Sequence, residues 1–110
     1  MFVTAYAIAN FREVEMGPAI VDYLRRIDAT LEPYEGRFLV HGAAPEMLEG
    51  KWTGQPIIIE FPSLDLARAW YDSPTYRLIL PLRTEHSEGE AILIDGVDPG
   101  HRATDILTWQ

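Results

Sequence analysis

The sequence has 110 residues, room for one domain rather than two, and 47% of them are hydrophobic, which suits a globular core. Seventeen acidic residues against nine basic ones leave a net charge of −8, which sets the chain against phosphate backbones and anionic lipid, so neither a nucleic-acid nor a membrane partner is expected. The absence of cysteine removes disulfides, thiol nucleophiles and thiolate metal sites from consideration.

The uncharged stretch from Met1 to Phe11 lacks the basic region and cleavage site of a secretory leader. Phe2 to Phe11 reads instead as a central strand, and a cytoplasmic location is expected. Met16-Gly17-Pro18 starts a helix, with proline suited to the first helical position. Ile20, Leu24, Ile27 and Leu31 recur at spacings of four, three and four, the apolar stripe of that helix, and Pro33 ends it. Gly36 to Gly42 reads as a second strand, followed by a turn and an irregular arm from Glu46 to Gln55. Pro56 to Phe61 is short and β-branched, the strongest strand signal in the chain. Ser63 caps a second helix with Leu66, Ala69 and Trp70 inward. Ser73 and Pro74 restart a helical turn carrying Tyr76, Ile79 and Leu80. Glu90 to Val97 reads as the last strand, Asp98-Pro99-Gly100 as a turn, and Ile106 to Trp109 as a short strand in the tail.

Strand–helix–strand–strand–helix–strand is the split βαβ plan, an α+β ferredoxin-like sandwich with an antiparallel sheet. Its helices cover one sheet face. The bare face of so small a domain calls for a cover, and a second copy of the chain supplies one, so a homodimer forming a dimeric α/β barrel is expected. The domain is read over residues 1–100, with 101–110 as a tail packed on the partner subunit.

Elimination narrows the chemistry. The basic residues are eight arginines and a single lysine, Lys51, in a loop. None of the three serines sits in a nucleophile elbow, and no Walker or dinucleotide glycine loop is present. His86, Glu88 and Glu90 are metal-ligand types, but their charged turn reads as exposed, so no metal and no cofactor is expected.

Four stretches are similar to one family. They are Thr4 to Ala9, Tyr34-Glu35-Gly36-Arg37-Phe38-Leu39, Glu49-Gly50-Lys51-Trp52, and Ile59-Glu60-Phe61-Pro62-Ser63 running on through Trp70-Tyr71-Asp72-Ser73-Pro74-Thr75-Tyr76 to Arg83. Together they resemble the family called domain of unknown function 1330, in the dimeric α/β-barrel superfamily, over residues 3 to about 97. Glu35 stands where the family has glycine, and His41 where it often has arginine. The resemblance implies a ferredoxin-like dimer and no settled reaction. The superfamily includes small isomerases, cofactor-free monooxygenases and dye- or haem-handling enzymes.

Alternation sorts side chains by face. Ile57, Ile59 and Phe61 form an apolar set that belongs against the helices, which turns Arg37, His41, Glu60 and Tyr6 to the opposite face. Glu60, an acid within an apolar strand, is either a general acid or base or the partner of Arg37 or Arg83 in an ion pair. Imidazole chemistry makes His41 the second catalytic candidate, the alternative being a histidine packed at a strand end. Arg37, Tyr6, Tyr71, Ser73, Tyr76 and Arg83 are the ligand-binding candidates. Ser73 also reads as a cap, the tyrosines as core-edge aromatics, and Trp52 and Trp70 as packing residues. The leading expectation is a small-molecule-handling dimer with a pocket between sheet and helices, working as a cofactor-independent acid–base enzyme of isomerase or lyase type. A non-catalytic binding or stress-related scaffold and a cofactor-free monooxygenase stand as alternatives.

Overall fold

A computed structural model describes the backbone of residues 3–109 and the side chains of residues 3–107. The elements run β1 (Ala5–Val14), α1 (Pro18–Leu31), a 3-10 turn (Glu32–Tyr34), β2 (Arg37–Val40), β3 (Gln55–Phe61), α2 (Leu64–Asp72), α3 (Pro74–Thr84), β4 (Ser87–Asp95) and a 3-10 segment (Ala103–Trp109). The strands make one antiparallel sheet in the order β2-β3-β1-β4. This is the α+β ferredoxin-like arrangement, with its second helix broken in two. Among the described residues no helix is long and apolar enough to cross a membrane.

The element boundaries follow local chemistry. Pro18 opens α1, and the chain leaves its C-terminal turn at Glu35, whose left-handed backbone (φ 59°) returns the chain toward β2. The hydroxyl of Ser63 accepts from the Leu66 amide at 3.2 Å, a side-chain cap on α2. Ser73 serves two helices at once. Its hydroxyl donates to the Trp70 carbonyl at 2.7 Å and accepts from the Tyr76 amide at 3.2 Å, so the α2–α3 break has a fixed angle. Gly54 (φ 112°) is required where it stands, because a Cβ there would sit 2.8 Å from the Phe11 carbonyl oxygen of β1.

The core lies between the sheet and the three helices. Tyr23, Ile27 and Leu31 of α1, Ala67 and Trp70 of α2, and Tyr76, Ile79 and Leu80 of α3 pack on Ile59 and Phe61 of β3. Trp70 sits at its centre, its ring 4.1 Å from Tyr76 and 5.4 Å from Phe61, with its indole N–H on Thr30 at 3.0 Å.

Several expectations shift. The buried face of α1 is Ile20, Tyr23, Ile27, Thr30 and Leu31, and Leu24 is 40% exposed, because the true helical period brings Tyr23 rather than Leu24 under the sheet. In α2 the buried alanine is Ala67, one turn before Trp70, and not Ala69. Trp52 is half exposed on the β2–β3 arm rather than packed. β1 continues past Phe11 to Val14, whereas Phe2 lies outside the described residues. β4 begins at Ser87 and ends at Asp95. The tail from Ala103 to Trp109 is a 3-10 helix, not a strand, and Asp105 accepts from the Arg102 amide at 3.0 Å to start its helical turn.

Candidate active site

A cavity of about 770 Å³ opens between the sheet and α1 and α3. Its walls are largely apolar, with Phe11, Ile27, Ile57, Trp70 and Leu93 among them. The titratable side chains in its lining are Arg12, Tyr23, His41, Tyr71, Tyr76 and Arg83, so no carboxylate is among the described lining residues. A mostly apolar hollow with a few convergent polar groups is the usual form of a small-molecule site.

The structure divides the sequence candidates between the two sheet faces. Tyr6 and Arg37 lie opposite Glu60 on its two neighbouring strands, all three on the face away from the helices. There Arg37 and Glu60 form an ion pair at 3.0 Å, Glu60 with 22% of its side chain exposed. Tyr6 hydrogen-bonds Thr4 at 3.1 Å. None of these three side chains lines the cavity. Ser73 is buried and engaged as the double cap, outside the lining.

His41 goes the other way. Strict alternation would set it beside Arg37, but β2 carries an extra residue: Phe38 pairs with Ile59 while Val40 pairs with Ile58. This bulge at Leu39 resets the parity, and His41 emerges on the helix side. It stacks on Phe38 at 4.4 Å, exposed at the cavity mouth. The two catalytic candidates are therefore on opposite faces and do not share a site.

Sequence reasoning named Tyr71, Tyr76 and Arg83, and all three line the cavity. It passed over Tyr23. The hydroxyls of Tyr23 and Tyr76 meet at 2.7 Å in a buried hydrogen bond, with ring centres 6.2 Å apart edge to face. Arg83, half-buried, lies over the Phe11 ring at 5.1 Å and beside the Tyr23 ring at 5.9 Å. Burial raises the Tyr23 phenol far above its ordinary range, and Tyr76 raises it further, while Arg83 pulls the other way. Burial works against the charge on Arg83, yet Tyr76 and Tyr23 outweigh it and hold the guanidinium above its ordinary value. Tyr23 thus stays a neutral hydroxyl and Arg83 a cation throughout the physiological range. The other lining cation, Arg12, already grips both carboxylate oxygens of Glu90, at 2.6 and 2.7 Å.

Of the metal-ligand types expected in a turn, His86 precedes β4 while Glu88 and Glu90 lie on that strand; His86 pairs with Glu15 at 2.9 Å and Glu90 with Arg12, so their polar atoms face separate partners.

The sequence profile of the family described as Domain of unknown function (DUF1330) matches residues 4–97. No protein of curated function matches the chain significantly. Among solved structures, similar folds include the methylated RPA0582 protein, with a TM-score of 0.70 and 19% identity over 92% of this chain and 86% of that one. RPA0582 is a protein of unknown function from Rhodopseudomonas palustris. SnoaB, a cofactor-independent oxygenase from Streptomyces nogalater, has a TM-score of 0.61 and 17% identity, covering 91% of this chain and 99% of its own. A dimeric ferredoxin-like protein of unknown function from Bacteroides fragilis has a TM-score of 0.54 and 14% identity, covering 84% and 96%. At these identities the likeness is one of fold.

Proposed function

This chain belongs to the family Domain of unknown function (DUF1330), and from that premise we propose that it is a small-molecule-handling homodimer whose cavity carries out cofactor-independent acid–base chemistry of isomerase or lyase type. The observation that carries the reading is the cavity itself, about 770 Å³ of mostly apolar space with His41 at its mouth. No acidic side chain is among its described lining residues, so proton transfer falls to the imidazole of His41, with Tyr71 along the wall. Glu60 and Arg37 take the structural role, as an ion pair on the opposite face.

The test is a panel of small acids, enols and quinones in a thermal-shift assay, followed by deuterium exchange into the stabilising compound, read by NMR. A ligand present at a hundred times its Kd stabilises the fold by about 2.7 kcal/mol, a plainly readable shift. His41→Gln should keep the stabilisation and slow exchange by about a hundredfold or more. An unchanged exchange rate would remove His41 from the chemistry, and binding without exchange in the wild type would favour the scaffold reading.

A second reading is a cofactor-free oxygenase. It is favoured by the aromatic walls of the cavity (Phe11, Phe38, Trp70) together with the fold shared with SnoaB. Oxygen uptake in the presence of a hydroquinone would decide for it.

The homodimer reading rests on the uncovered sheet face, where Ile58, Ile8 and Ile92 (53% exposed) lie in a row across β3, β1 and β4 with Ile94 (46%) next along β4, and on a similar fold described as dimeric. A second copy packed face to face would cover these isoleucines, and residues 101–110, with Ile106 and Leu107 exposed, would reach the partner. Ile92→Lys places a charge on both halves of such an interface. By light scattering the variant should run at half the wild-type mass with its circular dichroism retained, and an unchanged mass would show that another surface pairs.

A further inference from the structure

The cavity wall made by α1 and α3 holds more hydrogen-bond donors than acceptors. Tyr23 and Tyr76 carry two hydroxyl hydrogens between them, and their 2.7 Å bond uses one. Among the described residues no carbonyl or carboxylate takes the other. Arg83 adds the five N–H groups of a guanidinium, which donate to the same two phenol oxygens, and no carboxylate is among the groups that act on it. Tyr76 is 1% exposed and Tyr23 7%, so whatever meets these donors comes through the cavity that all three residues line. A half-buried cation ordinarily has a counter-charge. Every other described arginine for which an ion pair is formed has a surface carboxylate, as Arg12 has Glu90, Arg37 has Glu60 and Arg77 has Asp72.

We infer that Tyr23, Tyr76 and Arg83 form an oxyanion-binding site, and that the cavity takes a flat apolar molecule held through one ionised oxygen group, a carboxylate or a phenolate. This rests on the cavity being the ligand site, as proposed above, and adds the chemistry of what enters it. A guanidinium side by side with two phenols suits a charged acceptor, because hydrogen bonds to an ionised oxygen are about twice as strong as neutral ones. The site is pre-organised: the Phe11 ring lies under the guanidinium, and the Ser73 cap holds Tyr76 in place. The apolar body of the ligand would lie along Ile27, Trp70 and Leu93. An acidic chain with a net charge of −8 discourages anions at its surface generally, so a cation at this point confines anion binding to the cavity.

Isothermal titration of the full chain with cinnamate, cinnamamide and para-nitrophenol tests the inference. Cinnamate should bind about tenfold or more tightly than cinnamamide, which has the same shape and no charge. Arg83→Met should erase that preference, so that cinnamate binds no more tightly than cinnamamide. If Arg83→Met fails to fold by circular dichroism, Tyr76→Phe is read in the same way and should reduce the preference several-fold. Nitrophenol separates the two sources of the oxyanion: its visible absorbance should show the bound molecule ionising at lower pH than the free one if phenolates are accepted, and no such change assigns the site to carboxylates. Equal affinity for cinnamate and cinnamamide, or a preference that survives Arg83→Met, overturns the oxyanion site and leaves the cavity reading standing. Binding of none of the three overturns both.

Discussion

Replacing Trp70 by alanine should destabilise the protein by about 4 kcal/mol, as truncations of large buried aromatics do. The side chain is 3% exposed and touches three other rings, those of Phe61, Tyr71 and Tyr76. It links α2 to the sheet and, through its indole N–H on Thr30, to α1. The loss therefore has two parts, the aromatic volume and one buried hydrogen bond. Thr30 keeps its own bond to the Ile27 carbonyl at 2.6 Å, so its hydroxyl is not stranded. Trp70→Phe separates the parts, retaining most of the packing and dropping the N–H, and should cost about 1–2 kcal/mol. Urea unfolding at a single protein concentration measures both. A Trp70→Ala loss near 1 kcal/mol would mean that the core closes over the gap and that Trp70 is not its centre.

Gly89→Ala should be nearly as severe, at about 3 kcal/mol, through overpacking rather than loss. Gly89 pairs with Phe11 across the β1–β4 ladder, immediately before the bulge at Arg12. A Cβ there would lie 2.1 Å from the Asn10 carbonyl oxygen and 2.9 Å from its carbonyl carbon, both main-chain atoms that cannot rotate away. The strands must part locally, and the Phe11 wall of the cavity moves with them. Ligand affinity should fall together with stability in the same urea and titration experiments. A variant as stable as wild type would show that the bulge absorbs the added methyl group.

Much of this architecture was legible from single residues. Ile57, Ile59 and Phe61 against Ile58 and Glu60 gave the two sheet faces directly, because a strand has period two. Ser63 and Ser73 gave the helix starts, because a hydroxyl before an apolar run has little else to do there. An acid placed in an apolar strand called for a partner, Arg37 or Arg83, and the structure supplies Arg37. The remainder depended on geometry that no local pattern carries. One extra residue at Leu39 reverses the side on which His41 emerges, and nothing in Gly-Arg-Phe-Leu-Val-His-Gly marks it. Tyr23 stands one position before Leu24 of the expected stripe, and the helical period buries it instead. Its meeting with Tyr76 and Arg83 arises only when α1 packs on α3, fifty residues away in the chain. A tyrosine and an arginine about two turns apart on one helix are individually ordinary, and their shortage of acceptors becomes visible only in three dimensions.

The residues that line the cavity are also residues of the core: Tyr23, Ile27, Ile59, Trp70 and Tyr76 do both. Selection for a sturdier fold and selection for an open site therefore act on the same side chains in opposite directions. A larger residue at Ala7 or Ala9, where β1 meets the hollow, would fill space and raise the melting temperature while shutting out the occupant. Alanine at both positions leaves that space open at a cost in packing, so a compound that fills it should raise the melting temperature.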